Sequence, residues 1–321
     1  MVAPPLTDPV LMPSPAQCAE FLQRHRLSTL YLDIAQRWFM PLAQAIWRRR
    51  QQQCGPLLVG LNGSQGSGKS TLAAWLCLVL RGAGLTTVSV SLDDFYLTRA
   101  QRQTLAEMVH PLLATRGVPG SHDTALMEST LHGLLGRDEP SSRTVLVPSF
   151  DKSRDDRTDE VHWHRIGAPV DVVIWEGWCL GAVAQPASAL AVAVNDLEAQ
   201  EDPQGVWRRY VNSALATDYE PLFTQVDYWA MLRAPGFETV YRWRLEQEQK
   251  LAQQVQGQSA PGLMSAADIA RFIGFYQRLT EVCLATLPEQ VDWCCRLDEN
   301  RRVQSFSQCP RLRRADTGSH R

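Results

Sequence analysis

Lysine is scarce in this chain of 321 residues, which has only Lys69, Lys152 and Lys250 among its 32 basic residues. The net charge is −2, so overall charge gives no reason to expect a nucleic acid or an anionic membrane surface as a partner. The eight cysteines include no C-x-x-C pair, which disfavours both a disulfide framework and a zinc site. We therefore expect reduced thiols and a cytoplasmic protein.

Long hydrophobic runs are also missing. No stretch approaches the roughly eighteen apolar residues of a membrane-spanning helix, so we expect no transmembrane segment. The N-terminus lacks the basic start and apolar core of a secretory signal, so secretion is not expected either. The composition, 45% hydrophobic and 21% charged, is typical of a globular protein with an ample core.

The order of apolar and helical patterns predicts an α/β protein. Predicted strands cover 56–63, 86–95, 143–150, 170–178 and 226–234. Predicted helices cover 16–53, 69–84, 204–222, 236–255 and 265–286. Strands that alternate with helices favour a parallel sheet with right-handed crossovers. The run at 170–178 is so continuously apolar that both of its faces should be buried.

The stretch NGSQGSGKST, residues 62–71, matches the phosphate-binding pattern G-x-x-x-x-G-K-[ST]. It follows a predicted strand and opens a predicted helix, which is the context that this loop needs. Its glycines permit positive φ angles, so backbone N–H groups and the helix N-terminus can face phosphate oxygens. Lys69 would reach the β and γ phosphates, and the Ser70 hydroxyl would ligate Mg²⁺. The predicted nucleotide-binding residues of the loop are Gly63, Ser64, Gln65, Gly66, Ser67, Gly68, Lys69, Ser70 and Thr71.

Carboxylates follow two of the predicted strands. Asp93 and Asp94 would point to opposite sides if the strand continued through both, so one could face the γ-phosphate. A turn or a helix cap is the alternative use of such a pair. Glu176 ends a buried run and is well placed for Mg²⁺ or its water, although by itself it could be a solvated strand end.

Four basic residues lie in two loops beyond the phosphate-binding half of the chain: Arg116, Lys152, Arg154 and Arg157. Guanidinium groups suit carboxylate recognition, so these loops favour a small anionic substrate. The alternative is that they are solvated charges in an arginine-rich chain, and neighbouring aspartates favour that alternative for Arg154. His122 sits in a GSHD turn, where a neutral imidazole could bond an acceptor hydroxyl or stabilise the turn.

Longer stretches resemble D-glycerate 3-kinases, within the uridine kinase and phosphoribulokinase branch of P-loop kinases. They are SLDDFYLT (91–98), HPLLATRGVPGSHD (110–123), VPSFDKSRDDR (147–157), EGWCLG (176–181), YVNSALATDYEPLF (210–223) and LRAPGFETVYRWRLEQEQKL (232–251). The RGVPGSHD and FDKS elements are far more specific than the phosphate-binding loop. The resemblance spans residues 56 to about 300. It implies a three-layer α/β/α sandwich of the P-loop NTPase type with a mostly parallel sheet.

The resemblance also implies roles for the matching positions. Asp93 falls where these kinases place the base that accepts the acceptor hydroxyl's proton, and Lys69 and Glu176 complete the predicted catalytic set. Ser70 and Glu176 are the predicted metal ligands. The predicted substrate-binding residues are Asp94, Tyr96, Arg116, His122, Asp123, Lys152 and Arg157. An arginine of the lid helix, Arg242 or Arg244, would reach the transferring phosphoryl group.

By this resemblance the chain is an ATP-dependent, Mg²⁺-requiring kinase acting on D-glycerate, with 1–53 as a helical extension, 54–307 as the kinase domain and 308–321 as a frayed tail. The family's glycine-rich insert after DKS is shortened here to two residues, 154 and 155, which leaves the acceptor open. The alternatives are a uridine, pantothenate or other hydroxy-acid kinase, a P-loop ATPase or GTPase switch with a protein partner, and a degenerate nucleotide sensor. The DDFY element and the lack of an N-K-x-D motif favour a kinase.

Overall fold

The computed structural model describes residues 12–137, 143–254 and 266–308. Its strands are β1 (Leu57–Gly63), β2 (Thr87–Ser91), β3 (Arg143–Val147), β4 (Phe150–Asp151), β5 (Asp156–Arg157), β6 (His164–Ala168), β7 (Val172–Gly177), β8 (Tyr228–Arg233), β9 (Trp293–Leu297) and β10 (Val303–Gln308). Its α-helices are α1 (Pro15–His25), α2 (Leu30–Ile34), α3 (Met40–Gln51), α4 (Lys69–Gly82), α5 (Arg99–Met108), α6 (Thr124–Leu134), α7 (Ala187–Leu190), α8 (Asp196–Glu201), α9 (Val206–Ala214), α10 (Glu220–Phe223), α11 (Phe237–Gln254) and α12 (Ala266–Thr286). Within these residues, no helix is both long enough and apolar enough to cross a membrane.

A six-stranded sheet in the order β10-β9-β8-β1-β7-β2 forms the centre of the fold. All neighbouring pairs run parallel except β10 and β9, which are antiparallel at one edge. Every residue of β1 and β7 is buried, as expected for central strands covered on both faces. The predicted α/β fold with a mostly parallel sheet is confirmed.

Successive side chains along each central strand point to opposite faces of the sheet, so the strands contribute to two separate hydrophobic cores. On one face, β1, β7 and β8 pack against α4, α11 and the N-terminal helices, where Phe21 meets the ring of Trp75 edge-on at 5.2 Å. On the other face, the same strands pack against α6, α9 and α12. The N-terminal helices are thus an outer layer of the first core. They are three helices, because Arg26 turns the chain at a φ of 53° and a π-helical turn, Ala35–Phe39, separates α2 from α3.

Several predicted elements differ from those observed. The strand predicted over 86–95 ends at Ser91, whose hydroxyl accepts the N–H of Asp93 and opens a 3₁₀ turn over Leu92–Phe95. The strand predicted over 143–150 does not enter the main sheet but pairs with β6 in an antiparallel hairpin. Strands β9 and β10 and helices α5 and α6 were not predicted. Residues 1–11 and the predicted tail beyond residue 308 lie outside the described residues.

Candidate active site

The phosphate-binding loop runs from the end of β1 to the start of α4 and has the backbone that its glycines predict. Gly68 caps α4 in a left-handed conformation with a φ of 89°, and Gly66 has a φ of 77°. A side chain at Gly63 would place its Cβ 2.6 Å from the Ser67 hydroxyl. Each of the three glycines is therefore required by conformation or by space.

Buried polar atoms of this loop lack partners among the described residues. They are the hydroxyls of Ser64 and Ser67 and the amide oxygen of Gln65. Buried polar groups in folded proteins are almost always hydrogen-bonded, so such a group of atoms needs an explanation. A ligand that bonds to the loop provides one, and the loop's N–H groups suit an anion.

Glu176 lies directly beside the loop. The parallel pairing of β1 with β7 puts Leu61 opposite Glu176, and the Ser70 hydroxyl donates a 2.6 Å hydrogen bond to Glu176 Oε1. The second carboxylate oxygen, Oε2, is buried and has no partner within the described part of the chain. The described residues contain no cluster of three or more metal-ligating side chains. A serine hydroxyl and a carboxylate are nevertheless what Mg²⁺ takes from a protein when phosphates and waters supply its other ligands.

Asp93 joins the phosphate-binding half to the acceptor loops. Its carboxylate accepts a hydrogen bond from Lys152 Nζ at 2.7 Å and another from the Tyr96 hydroxyl at 3.0 Å. Burial alone would raise the pKa of Asp93, but the positive charges of Lys152 and Lys69 lower it to about 2. Lys69, Tyr96 and Lys152, which were each predicted as site residues, therefore all act on the Asp93 carboxylate.

Asp94, the other member of the pair, has the opposite environment. Burial raises its pKa to about 6, an effect that the Phe150 N–H opposes and that the negative charges of Asp93 and Glu176 reinforce. Asp94 accepts that Phe150 N–H at 3.3 Å. The two aspartates lie in a 3₁₀ turn and not in an extended strand, so the strand alternation considered for them does not apply, but they have different partners.

Three of the four basic residues of the acceptor loops form ion pairs with carboxylates. Lys152 pairs with Asp93, Arg157 with Asp123 at 3.1 Å, and Arg116 with Asp155. Arg154, by contrast, is exposed and has no ion pair among the described residues.

The shortened DKS segment is a tight turn between β4 and β5. Asp155 adopts a left-handed φ of 55° there, and the fully buried Arg102 binds its carboxylate and its carbonyl oxygen. Arg116 binds the same carboxylate. Two arginines from outside the turn therefore hold it in place.

His122 is buried behind Asp93. Its ring stacks on Tyr96 with centroids 4.5 Å apart, and its Nδ1 lies 2.7 Å from the Tyr219 hydroxyl. Burial lowers its pKa to about 3, against the opposing negative charge of Asp93, so the imidazole is neutral at ordinary pH. The structure thus places His122 against Tyr96 and adds Tyr219, which sequence reasoning missed.

The two candidate lid arginines of α11 face different surroundings. Arg242 is exposed and binds Glu299 at 3.1 Å. The guanidinium of Arg244 lies 5.4 Å from the ring of Phe272 and acts, like that of Arg116, on the pKa of Tyr276. Arg244 and Arg116 therefore both lie near Tyr276.

Arg301 is a second residue that the sequence did not reveal. From the turn between β9 and β10 its Nε donates to the carbonyl of Gly66 at 2.8 Å, and its Nη1 binds Glu246 of α11. Its guanidinium lies 5.1 Å from the Trp243 ring. Gly66 and Arg301 are 235 positions apart in the sequence, and no sequence motif indicates that they are in contact.

Comparisons with known proteins identify relatives of this chain. No family model matches it. It is 35% identical over 259 residues to an uncharacterised kinase of Schizosaccharomyces pombe, a match that covers 77% of this chain and 89% of that protein. It is 32% identical over 239 residues to the chloroplastic D-glycerate 3-kinase of Arabidopsis thaliana, covering 72% of this chain but only 48%, about half, of that protein. The solved D-glycerate 3-kinase of Cryptococcus neoformans superposes with a TM-score of 0.68 at 25% identity, over 84% of this chain and 98% of that one.

Proposed function

Because this chain belongs to the D-glycerate 3-kinase family of P-loop kinases, we propose that it transfers the γ-phosphoryl group of ATP to D-glycerate, giving 3-phosphoglycerate. The observation that carries the choice of acceptor is the set of ion pairs around Asp93. The candidate base Asp93 lies 2.7 Å from Lys152, and Arg157 forms an ion pair with Asp123. Such an arrangement suits a small acceptor that carries both a hydroxyl and a carboxylate.

The phosphate-binding loop is the nucleotide side of the proposal. Its backbone N–H groups, Lys69 and the unpartnered hydroxyls would hold the triphosphate, while Ser70 and Glu176 would hold Mg²⁺. When bound, ATP with Mg²⁺ supplies the phosphoryl group and the charge that neutralises it in transfer. Arg244 is the lid arginine that we assign to the phosphoryl group, because its charge opposes the burial that raises the pKa of Tyr276, whose hydroxyl lies 3.4 Å from the carbonyl oxygen of Arg116.

Asp93 is the proposed base. As the acceptor oxygen attacks the phosphorus, its proton passes to the Asp93 carboxylate, and the bond from phosphorus to the leaving oxygen of ADP breaks. A carboxylate with a pKa of about 2 is a weak base while Lys152 holds it. A substrate carboxylate that attracts Lys152 would raise the pKa of Asp93 at the moment when a base is needed. Substrate binding and base activation are then one event.

The carboxylate of the acceptor would be bound by Lys152 and Arg157, with Arg116 supporting the loop. Arg157 has only 12% of its side chain exposed and offers a planar fork of donors, whereas Lys152 is 62% exposed and mobile enough to change partners. To bind the acceptor, Lys152 would leave Asp93 and Arg157 would leave Asp123, and each would pair with the substrate carboxylate instead. His122 and Tyr96 would line the remaining wall beside Asp93.

The experiment that tests this function measures ADP release with Mg²⁺ and ATP across D-glycerate, pantothenate, uridine and ribulose 5-phosphate. We expect D-glycerate to give the highest kcat/KM, and uridine, which has no carboxylate, to be a poor acceptor. If uridine or pantothenate outruns glycerate, the glycerate assignment is wrong and the kinase class alone remains. Turnover without any acceptor would instead favour an ATPase.

The cellular location belongs to the same proposal. The Arabidopsis relative is named as chloroplastic, and we propose the cytoplasm for this chain. All seven cysteines in the described residues are free thiols, which agrees with a reducing compartment. Imaging of a fluorescent fusion to the full chain tests this, and an organellar signal would contradict it.

A further inference from the structure

The contact between Tyr219 and His122 has no part in the function described so far. Tyr219 ends the π-helical turn Leu215–Tyr219, and both side chains are almost completely buried. The Tyr219 oxygen accepts the N–H of Gly120 at 3.0 Å and lies 2.7 Å from His122 Nδ1. The other ring nitrogen of His122, Nε2, is buried without a partner among the described residues.

The position of one proton decides what this pair does. A tyrosine hydroxyl has a single O–H to donate, and a neutral histidine carries one N–H, on either Nδ1 or Nε2. If Nδ1 carried the proton, it would donate to Tyr219, and the buried Tyr219 O–H would have no acceptor in the part of the chain that the structure describes. If Nε2 carries it, the Tyr219 O–H donates to Nδ1 and is satisfied. Nε2 has no partner within the described ranges in either tautomer, so the second arrangement leaves one fewer buried polar group unpaired and is the more stable.

We propose that Tyr219 is a positioning residue that holds His122 in the Nε2–H tautomer, so that the imidazole donates a hydrogen bond to an oxygen of the acceptor substrate. The stacked Tyr96 ring restrains the orientation of the imidazole, and the backbone bridge between Tyr96 and His122 holds their loops together. Because the Tyr96 hydroxyl donates to Asp93, the histidine is joined to the proposed base by a single intervening side chain.

In this arrangement the ring nitrogen that is left for a substrate, Nε2, donates a hydrogen bond and cannot accept one. His122 therefore selects substrates that present a lone pair to it. A carboxylate or an uncharged hydroxyl can accept from Nε2–H, whereas an ammonium group at the same place has no lone pair and is rejected. The inference rests on the proposed function for the identity of the acceptor, but the tautomer itself is a property of the protein without substrate.

The decisive measurement is therefore made without substrate. The full-length protein is labelled with ¹⁵N-histidine, and two-bond ¹H–¹⁵N correlations at pH 7 identify the tautomer of each ring, with His122 assigned by its loss in His122→Leu. We expect His122 to be entirely the Nε2–H tautomer in the wild type. An Nδ1–H tautomer, or a mixture, overturns the proposal whether or not glycerate is the acceptor. This test needs no folded Tyr219 variant.

Variants extend the test to the reaction, with whichever acceptor of the panel turns over fastest. Tyr219→Phe should raise the KM for that acceptor about tenfold, the loss of roughly one oriented hydrogen bond, and leave the KM for ATP within about twofold. Tyr210→Phe is the matched control, because Tyr210 also lies against Gly120 but has no bond to His122. It should change neither constant.

A double-mutant cycle separates positioning from mere support of the Gly120 loop. If Tyr219 acts through His122, Tyr219→Phe should add nothing to the KM of His122→Leu. If Tyr219 only supports the Gly120 loop, Tyr219→Phe should raise the acceptor KM by the same factor in the His122→Leu protein as in the wild type. That additive result overturns the proposal. His122→Gln, whose amide keeps a donor near the Nε2 position, should recover most of the acceptor affinity that His122→Leu loses.

Discussion

The phosphate-binding loop and the acceptor loops meet at Asp93, but they satisfy their polar groups in opposite ways. In and beside the loop, the hydroxyls of Ser64 and Ser67 and the second oxygen of Glu176 are buried with no partner among the described residues. The acceptor loops instead pair every cation of the proposed clamp with a carboxylate of the chain. The polar groups of the phosphate-binding loop are therefore left for a ligand to pair, whereas the clamp cations of the acceptor loops are already paired within the chain.

The difference has a thermodynamic consequence. Groups that are buried and unpaired cost stability until a ligand bonds to them, so a nucleotide gains their full hydrogen-bond energy. An acceptor must instead displace an internal carboxylate from Lys152 or Arg157, so it gains only the difference between two ion pairs. We therefore expect changes in the loop to affect catalysis strongly and changes in the clamp to affect acceptor affinity moderately.

The largest effect should come from the residue that both halves share. Asp93→Asn removes the proposed base, so kcat should fall about 10²- to 10⁴-fold while ATP affinity stays nearly unchanged. Glu176→Gln should instead weaken Mg²⁺-dependent nucleotide binding. Steady-state kinetics with nucleotide titration distinguishes the two variants, and exchanged phenotypes would show that the two roles are reversed.

Lys69→Ala tests the unpaired half of the comparison. Losing one charge that faces the phosphates should cost ~2–4 kcal/mol of transition-state stabilisation, or roughly 30- to 1000-fold in kcat/KM. The melting temperature should change little, because a lysine at the start of α4 contributes little to the core. If unfolding temperature collapses while the folded fraction keeps normal activity, the loop does not hold the phosphates.

Removing a clamp cation tests the paired half. Lys152→Met or Arg157→Met should raise the KM for glycerate about tenfold and leave the KM for ATP within about twofold. Arg154→Met is the control, because Arg154 lies in the same turn as Lys152, before Arg157 of β5, and has no ion pair among the described residues. Equal effects of all three variants would indicate a general loss of positive charge and not a clamp.

Asp94 provides the smallest and most specific effect, on stability. Its pKa is about 6 in the folded chain against an ordinary value of 3.8, so the folded state binds the proton more tightly than the unfolded state. Stability is therefore greatest below pH 4 for this group and falls as pH rises through 6. Without Mg²⁺, Asp94→Asn should remove that fall. At pH 8 it should raise the free energy of unfolding by ~1–2 kcal/mol, less than the ~3 kcal/mol of the full pKa difference because the side chain is partly exposed, and it should give no gain at pH 4.

Denaturant titrations of both proteins across this pH range provide the measurement for Asp94. The Asn side chain keeps a carbonyl oxygen for the Phe150 N–H, so the substitution removes only the charge. The same pH dependence in wild type and variant would show that burial of the Asp94 carboxylate is not the cause.

Much of the fold could be predicted because it depends on chemistry within a few consecutive residues. The glycine spacing from 63 to 68 defines the loop, and the buried run at 170–178 defines a central strand. The prediction was wrong where local patterns were ambiguous. The run at 143–150 is as apolar as a strand of the main sheet, but β3 within it pairs with β6 in a separate, antiparallel two-stranded sheet. Strands β9 and β10 are short and carry no distinctive signal.

The sequence by itself determined the phosphate-binding loop, the parallel α/β sheet and the kinase family, since motifs and hydrophobic periodicity are properties of neighbouring residues. Only the tertiary structure decided which carboxylate each cation binds, that Arg242 pairs with Glu299, and that Arg301 bonds to the carbonyl of Gly66. It also decided that Tyr219 bonds to His122 across 97 positions. Such contacts depend on how the two cores bring distant segments within about 3 Å, and no local pattern records that distance.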